Sequence, residues 1–353
     1  MAAQLFRLCF LLLLSLSPYA PRAHCQGGAP RAEQRAMLIR CDDAGMCHAV
    51  NTAIREVLDT GMPVSVSVMF VCPWYQEAVE ILKGCRNASV GVHLTLNAEW
   101  KNYRWGPVSG RSAVPSLVDS EGFFFPSRAA FLAHRPDTSD VERELRAQIE
   151  RALRTGLNID YVDYHMSAAV STPELRRIVE RLAREYRLGI SRYFQEEDLQ
   201  GWYAVPAEAK KDTLLRLSGA PGGGPLRLLV FHVGLETPEM DALVDMNPFG
   251  PAGMSSHRQA ELRALTSSEF RGLLKSRGVR LVTYADLVRE FGLERMRAPA
   301  DRCARAVDKA STGDYEKGTP ALQRHVKRQF IVPDRDTACH GTLPAGIPGL
   351  HTE

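Results

Sequence analysis

Between Ala36 and Thr283 short apolar runs alternate with amphipathic stretches, and that alternation limits the available folds more than any other feature. Ala36 to Cys41 is apolar and is followed by Ala49, Val50, Ile54, Val57 and Leu58 at helical spacing. Val64 to Val71, Val90 to Leu96, Ile159 to His165, Leu226 to His232 and Val279 to Thr283 read as further strands. Between them lie a helix opened by Pro73, one stepping through Val141, Leu145, Ile149 and Leu153, one over Pro173 to Tyr186, and one over Glu261 to Arg277. A long loop rich in aromatics, Gly and Pro fills Asn97 to Pro136. Strands separated by amphipathic helices bury their apolar faces best as a parallel sheet with helices outside, an α/β fold.

The two ends do not share this pattern. Residues 1–26 read as a signal peptide: Arg7 supplies a positive start, Leu8 to Leu16 an apolar run, and Ala20, Ala23 and Cys25 a small-residue exit. A membrane span needs about 20 apolar residues, and Ser17-Pro18 stops this run short. The expectation is a secreted or periplasmic protein with no stable membrane span after signal removal. From residue 298 to 353 basic residues, Thr, Gly and Pro dominate, which predicts a disordered tail. What remains, residues 36–297, is the size of one barrel domain. Export would make Cys41, Cys47, Cys72, Cys85, Cys303 and Cys339 capable of pairing. Asn87-Ala88-Ser89 is a glycosylation sequon that matters only in a eukaryotic secretory pathway. With 44 Lys+Arg against 41 Asp+Glu, the charge is too balanced for a nucleic-acid binder. No phosphate-binding Gly motif follows a strand, so no nucleotide is expected.

Polar groups sit where strands end: Asp42-Asp43 after the first, His93 near the end of the third, His165 after the fourth and His232 after the late one. In a parallel barrel these ends share one face, so residues distant in sequence meet there. One carboxylate with two imidazoles is a common ligand set for a catalytic divalent ion. Adjacent aspartates on an extended chain point apart, so one can hold metal while the other contacts water. They are too close in sequence to flank a glycosidic bond as separate acid and base, which argues against a glycosidase.

At these residues the chain resembles the YdjC-like carbohydrate deacetylases, which include chitooligosaccharide deacetylases. Arg40-Cys41-Asp42-Asp43-Ala44-Gly45 resembles the family's Asp-Asp-x-Gly motif, Gly91 to Leu96 the second motif and Val162 to Met166 the third. Leu229 to Gly234 is similar to the late His-Pro-Gly motif, with Val233 in place of Pro. His257-Arg258 through Glu261-Leu262, and Leu281 to Tyr284, resemble the closing helix and strand. Met166-Ser167-Ala168 stands where many members carry a second His. The resemblance implies a distorted TIM-like (β/α) barrel. It also implies one divalent metal ion, Mg²⁺ or Zn²⁺, on Asp43, His93 and His165, with Asp42 as general base and His232 as general acid. The implied reaction is hydrolysis of N-acetyl groups on an acetylated oligo- or polysaccharide.

Trp74, Trp100 and Trp105 are candidates for a sugar-stacking platform, with Arg258 as a further substrate contact. His48, early in the first helix, reads as a surface residue or a support behind the ligands. Two alternatives stay open: an O-acetyl carbohydrate esterase using the same residues, and a non-catalytic secreted carbohydrate-binding barrel.

Overall fold

The structure, a computed structural model, describes residues 35–299 apart from 200, 221–223, 248–250 and 252. The expected signal peptide lies outside the described residues, as does the tail beyond its first two positions. Among the described residues eight parallel strands are interleaved with helices: β1 (Ala36–Ala44), α1 (His48–Asp59), β2 (Val64–Val68), α2 (Tyr75–Lys83), β3 (Ala88–Leu94), α3 (Arg128–Ala133), α4 (Thr138–Arg154), β4 (Ile159–Tyr164) and α5 (Pro173–Tyr186). They continue with β5 (Gly189–Ile190), β6 (Glu197–Asp198), α6 (Lys210–Gly219), β7 (Leu226–Phe231), α7 (Pro238–Asp241), α8 (Met254–Leu265), α9 (Ser268–Ser276), β8 (Arg280–Val282) and α10 (Tyr284–Phe291). The sheet order is β5-β4-β3-β2-β1-β7-β6, with β8 pairing the first residues of β1 and β2 pairing its later ones.

The sheet must curl, because its inner residues meet. Leu38 of β1, Tyr161 of β4 and Leu228 of β7 belong to one buried cluster with Val282, Tyr284 and Leu287. In a flat sheet β4 and β7, four strand spacings apart, would stand about 19 Å from each other. Alternation along each strand feeds this interior. In β2, Ser65 and Ser67 face inward while Val64, Val66 and Val68 pack under the helices. Gly91 of β3 makes the interior possible, since a Cβ there would lie 2.4 Å from the Tyr161 ring. The Tyr161 hydroxyl instead reaches Ser67 at 2.7 Å.

Several sequence expectations change. The run from Glu261 to Arg277 is two helices, because the Ser267 hydroxyl caps α9 by accepting from the Phe270 amide. Leu153 is 41% exposed, whereas Val141, Leu145 and Ile149 are fully buried. Steps of four residues drift by about 40° each around a helix, so the fourth member leaves the face and Ala152 replaces it. The described cysteines, Cys41, Cys47, Cys72 and Cys85, are all free thiols. The Asn87 amide is spent on the Leu58 and Met62 carbonyls, and the Ser89 hydroxyl on Asp160. Among the described residues no helix is long and apolar enough to cross a membrane.

Candidate active site

Strict alternation would send Asp42 into the barrel and Asp43 out beneath the helices. The β1–β2 register shifts between Cys41 and Ala44, and Asp43 adopts φ +64°, a left-handed conformation that Asp tolerates better than most residues. Both carboxylates therefore enter the same buried region. Asp42 is held by both arms of a fork: Arg40 Nε and Nη2 donate to it at 2.6 and 2.7 Å. Asp43 Oδ2 accepts from Arg258 Nη2 at 2.7 Å. Its Oδ1 has no donor and lies 3.4 Å from both His93 Nε2 and His165 Nδ1.

Two further carboxylates fix the histidines. His93 Nδ1 donates to Asp163 Oδ1 at 3.0 Å, and His165 Nε2 donates to Glu99 Oε2 at 2.9 Å. The remaining ring nitrogens then face each other, 3.2 Å apart, beside Asp43 Oδ1. The Asp43 oxygen and the two ring nitrogens, spaced 3.2–3.4 Å apart, surround a point about 1.9 Å from each, within about 0.2 Å of a Zn²⁺–ligand distance. Histidine ligands backed by carboxylates are the usual support of such a site.

Charge points the same way. Four buried carboxylates (Asp42, Asp43, Asp163, Glu99) meet two buried guanidinium groups (Arg40, Arg258), leaving a deficit of the size that a divalent cation would fill. Burial opposes charge on Asp43, yet Arg258 and the two imidazoles hold its carboxyl well below the usual range. Burial also opposes charge on His93, but Asp163 and Asp42 carry it up to about 10. Against the same burial, Glu99 and Asp43 carry His165 up to about 9. Without an ion the cluster takes up protons in its place.

His232 follows β7 on the same face. Its backbone N–H donates to Glu261 Oε2 at 2.7 Å, and its Nδ1 is buried without a partner among the described residues. Tyr203 meets its ring edge-on at 5.4 Å. Helix α8 supplies both supports, with Arg258 on Asp43 and Glu261 one turn later on His232. Gly234 lets that helix close in, since a Cβ there would lie 3.1 Å from Arg258 Cβ.

The expected stacking platform is placed differently. Trp100 is 1% exposed and lies under the Arg258 guanidinium. Trp105 is buried too, its Nε1 donating to the Asn97 carbonyl and its ring 6.1 Å from that of His165. These two close the wall behind the Asp43, His93 and His165 cluster and offer no open face to a sugar. Arg258 is buried on Asp43 and so holds that carboxylate instead of meeting substrate from solvent. Trp74 is 41% exposed and packs against His48, a surface residue bonded to Glu77. Sequence reasoning missed Arg40, Glu99, Asp163 and Glu261. Asp163 had a signal, standing two residues before His165 on the inner face of β4. Glu99, inside the long loop, had none.

The model of the YdjC-like protein family matches residues 36–276. A carbohydrate deacetylase of Brevibacillus brevis is 26% identical over 274 residues, covering 71% of this chain and 99% of that protein. One from Thermus thermophilus is 30% identical over 265 residues, covering 68% of this chain and 90% of its own. Among solved structures, an Enterococcus faecalis V583 protein described as a cellobiose-phosphate cleavage protein is similar in fold. It shows a TM-score of 0.61 at 24% identity, covering 72% of this chain and 99% of that one. With the strands that carry the Asp43, His93 and His165 cluster, the closing helix and most of its length inside that match, the chain belongs to the YdjC-like protein family.

Proposed function

We propose that this chain hydrolyses N-acetyl groups of amino-sugar oligosaccharides with one divalent ion held by Asp43, His93 and His165. The hydrolase class rests on relatives named carbohydrate deacetylases, matched over nearly their whole length. The observation that carries the metal is the convergence of Asp43, His93 and His165 in one buried cluster, where Asp43 Oδ1 has no hydrogen-bond partner among the described residues. Two imidazoles favour Zn²⁺ over Mg²⁺ on ligand softness. When bound, the ion supplies positive charge that polarises an acyl carbonyl and acidifies water.

The protein's own groups do the proton work. Asp42 stays ionised: burial opposes its charge, but Arg40 and His93 hold its carboxyl below the usual range. It accepts the proton of the attacking water as that oxygen joins the acetyl carbon. His232 gives a proton to the nitrogen as the C–N bond breaks, releasing acetate and a free amine. Such acid–base help is worth about 10²–10⁴-fold. Arg40 and Glu261 keep the two groups in place by their hydrogen bonds. Secretion is part of the same proposal and rests on residues 1–26 alone.

Acetate release from N-acetylglucosamine oligomers tests the reaction, with O-acetylated xylan separating amide from ester. Asp42→Asn is expected to keep its metal and lose about 10²–10⁴-fold in turnover. Loss of metal in that variant would mean that the roles of the two aspartates are exchanged.

A further inference from the structure

We infer that Tyr203 is a sugar-binding residue of this site and that the buried Lys210–Glu261 ion pair is a positioning device that sets its distance from His232. The inference rests on the deacetylase reading and adds a substrate contact to it. Lys210 is 1% exposed, and its three ammonium donors are all used: on Glu261 Oε1 at 2.7 Å, the Tyr203 carbonyl at 3.0 Å and the Trp202 carbonyl at 3.2 Å. The second oxygen of Glu261 takes the His232 backbone N–H at 2.7 Å. One unbroken chain of hydrogen bonds thus joins the backbone of Tyr203 to that of His232, and their rings meet at 5.4 Å and 73°. Trp202 pins the segment from below by packing on Phe231 at 5.3 Å.

Stability alone does not explain this pair. Lys210 opens α6, where the helix dipole disfavours a cation. Burying an ion pair gains little over apolar residues of the same volume. What the pair does is fix two neighbours of unlike exposure: His232, half-buried, and Tyr203, 45% exposed. With Trp100 and Trp105 enclosed, Tyr203 is the aromatic that presents an open face directly beside the group placed to protonate a leaving amine. Such a face suits the C–H side of a pyranose ring, and stacking there would bring the sugar's 2-nitrogen toward His232.

Calorimetric titration of the N-acetylglucosamine tetramer, with steady-state kinetics on the same oligomer, tests the inference on the metal-loaded full chain. Tyr203→Ala is expected to weaken binding and raise KM about tenfold, with Tyr203→Phe near wild type. Lys210→Met is expected to raise KM similarly, lower kcat and change the pH profile of kcat/KM. Lys210→Arg should restore part of each, and Lys211→Met, at an exposed pair with Glu269, should change none. If Lys210→Met does not fold, the near-isosteric Glu261→Gln carries the same readouts. Wild-type binding by Tyr203→Ala overturns the sugar contact. A Lys210→Met protein that only melts earlier, with KM, kcat and pH profile unmoved, overturns the positioning role. Wild type that binds the tetramer but releases no acetate contradicts the deacetylase reading and leaves Tyr203 standing; wild type that does not bind overturns the inference.

Discussion

At φ +64° Asp43 takes a conformation that side chains with a Cβ seldom adopt, and that turn swings its carboxylate between His93 and His165 while Arg258 holds its other oxygen. Asp43→Ala removes a ligand and also leaves the Arg258 guanidinium buried without its carboxylate. Elemental analysis should find the ion gone, and denaturation should show a loss of about 3–5 kcal/mol. A stable, metal-loaded Asp43→Ala protein would contradict the ligand assignment. The histidines make a second prediction. In ion-free protein His93 and His165 titrate near about 10 and about 9, above the ~6.5 of an unfolded chain. Their contribution to stability is complete below pH ~6.5 and disappears as pH rises through 9 to 10. Chelator-treated protein should therefore melt progressively earlier between pH 7 and 10, and metal-loaded protein, whose rings are neutral in the fold, should lose less. Equal slopes would contradict it. The residues of this cluster were legible, because a polar residue ending an apolar strand stands out. Arg40 and Glu99 were not, because charged residues in a strand and a loop carry no mark of the partners they find only on folding.

Gly91 illustrates what an element tolerates. Its missing Cβ admits the Tyr161 ring to the barrel interior, so Gly91→Ala forces that ring against a new methyl group at 2.4 Å. Overpacking of this kind costs about 1–3 kcal/mol. Thermal or urea denaturation should register the loss, and Tyr161→Val should recover part of it in the double variant. Additive losses would show that the two positions do not meet. Sequence periodicity placed β1, β2, β3, β4 and β7 well, because each alternates or runs apolar between clear breaks. It joined α8 to α9, since Thr266-Ser267 interrupts the chain without disturbing the apolar pattern. It passed over β5 and β6, two residues each, where no period can be read. It also passed over α6, which opens with the charged pair Lys210-Lys211.

For the whole molecule, parallel pairing brings the ends of β1, β3, β4 and β7 to one side, and the curl of the sheet closes the distance between them. The order of elements and the shared face were readable from the chain alone. The curl was not, because it depends on which inner side chains fit one another: Ser67, Gly91, Tyr161 and Tyr284 from four separate segments. Near-balanced charge over the 353 residues suits an enzyme whose substrate is a neutral sugar. The most direct test of the whole is a single paired measurement on full-length protein: bound metal by elemental analysis against acetate released from N-acetylglucosamine oligomers, before chelation, after it and after reloading. We expect about one divalent ion per chain, with acetate release lost on chelation and restored in proportion to the ion returned. Acetate release that persists without the ion, or none from protein carrying it, would contradict a metal-dependent deacetylase built on Asp43, His93 and His165.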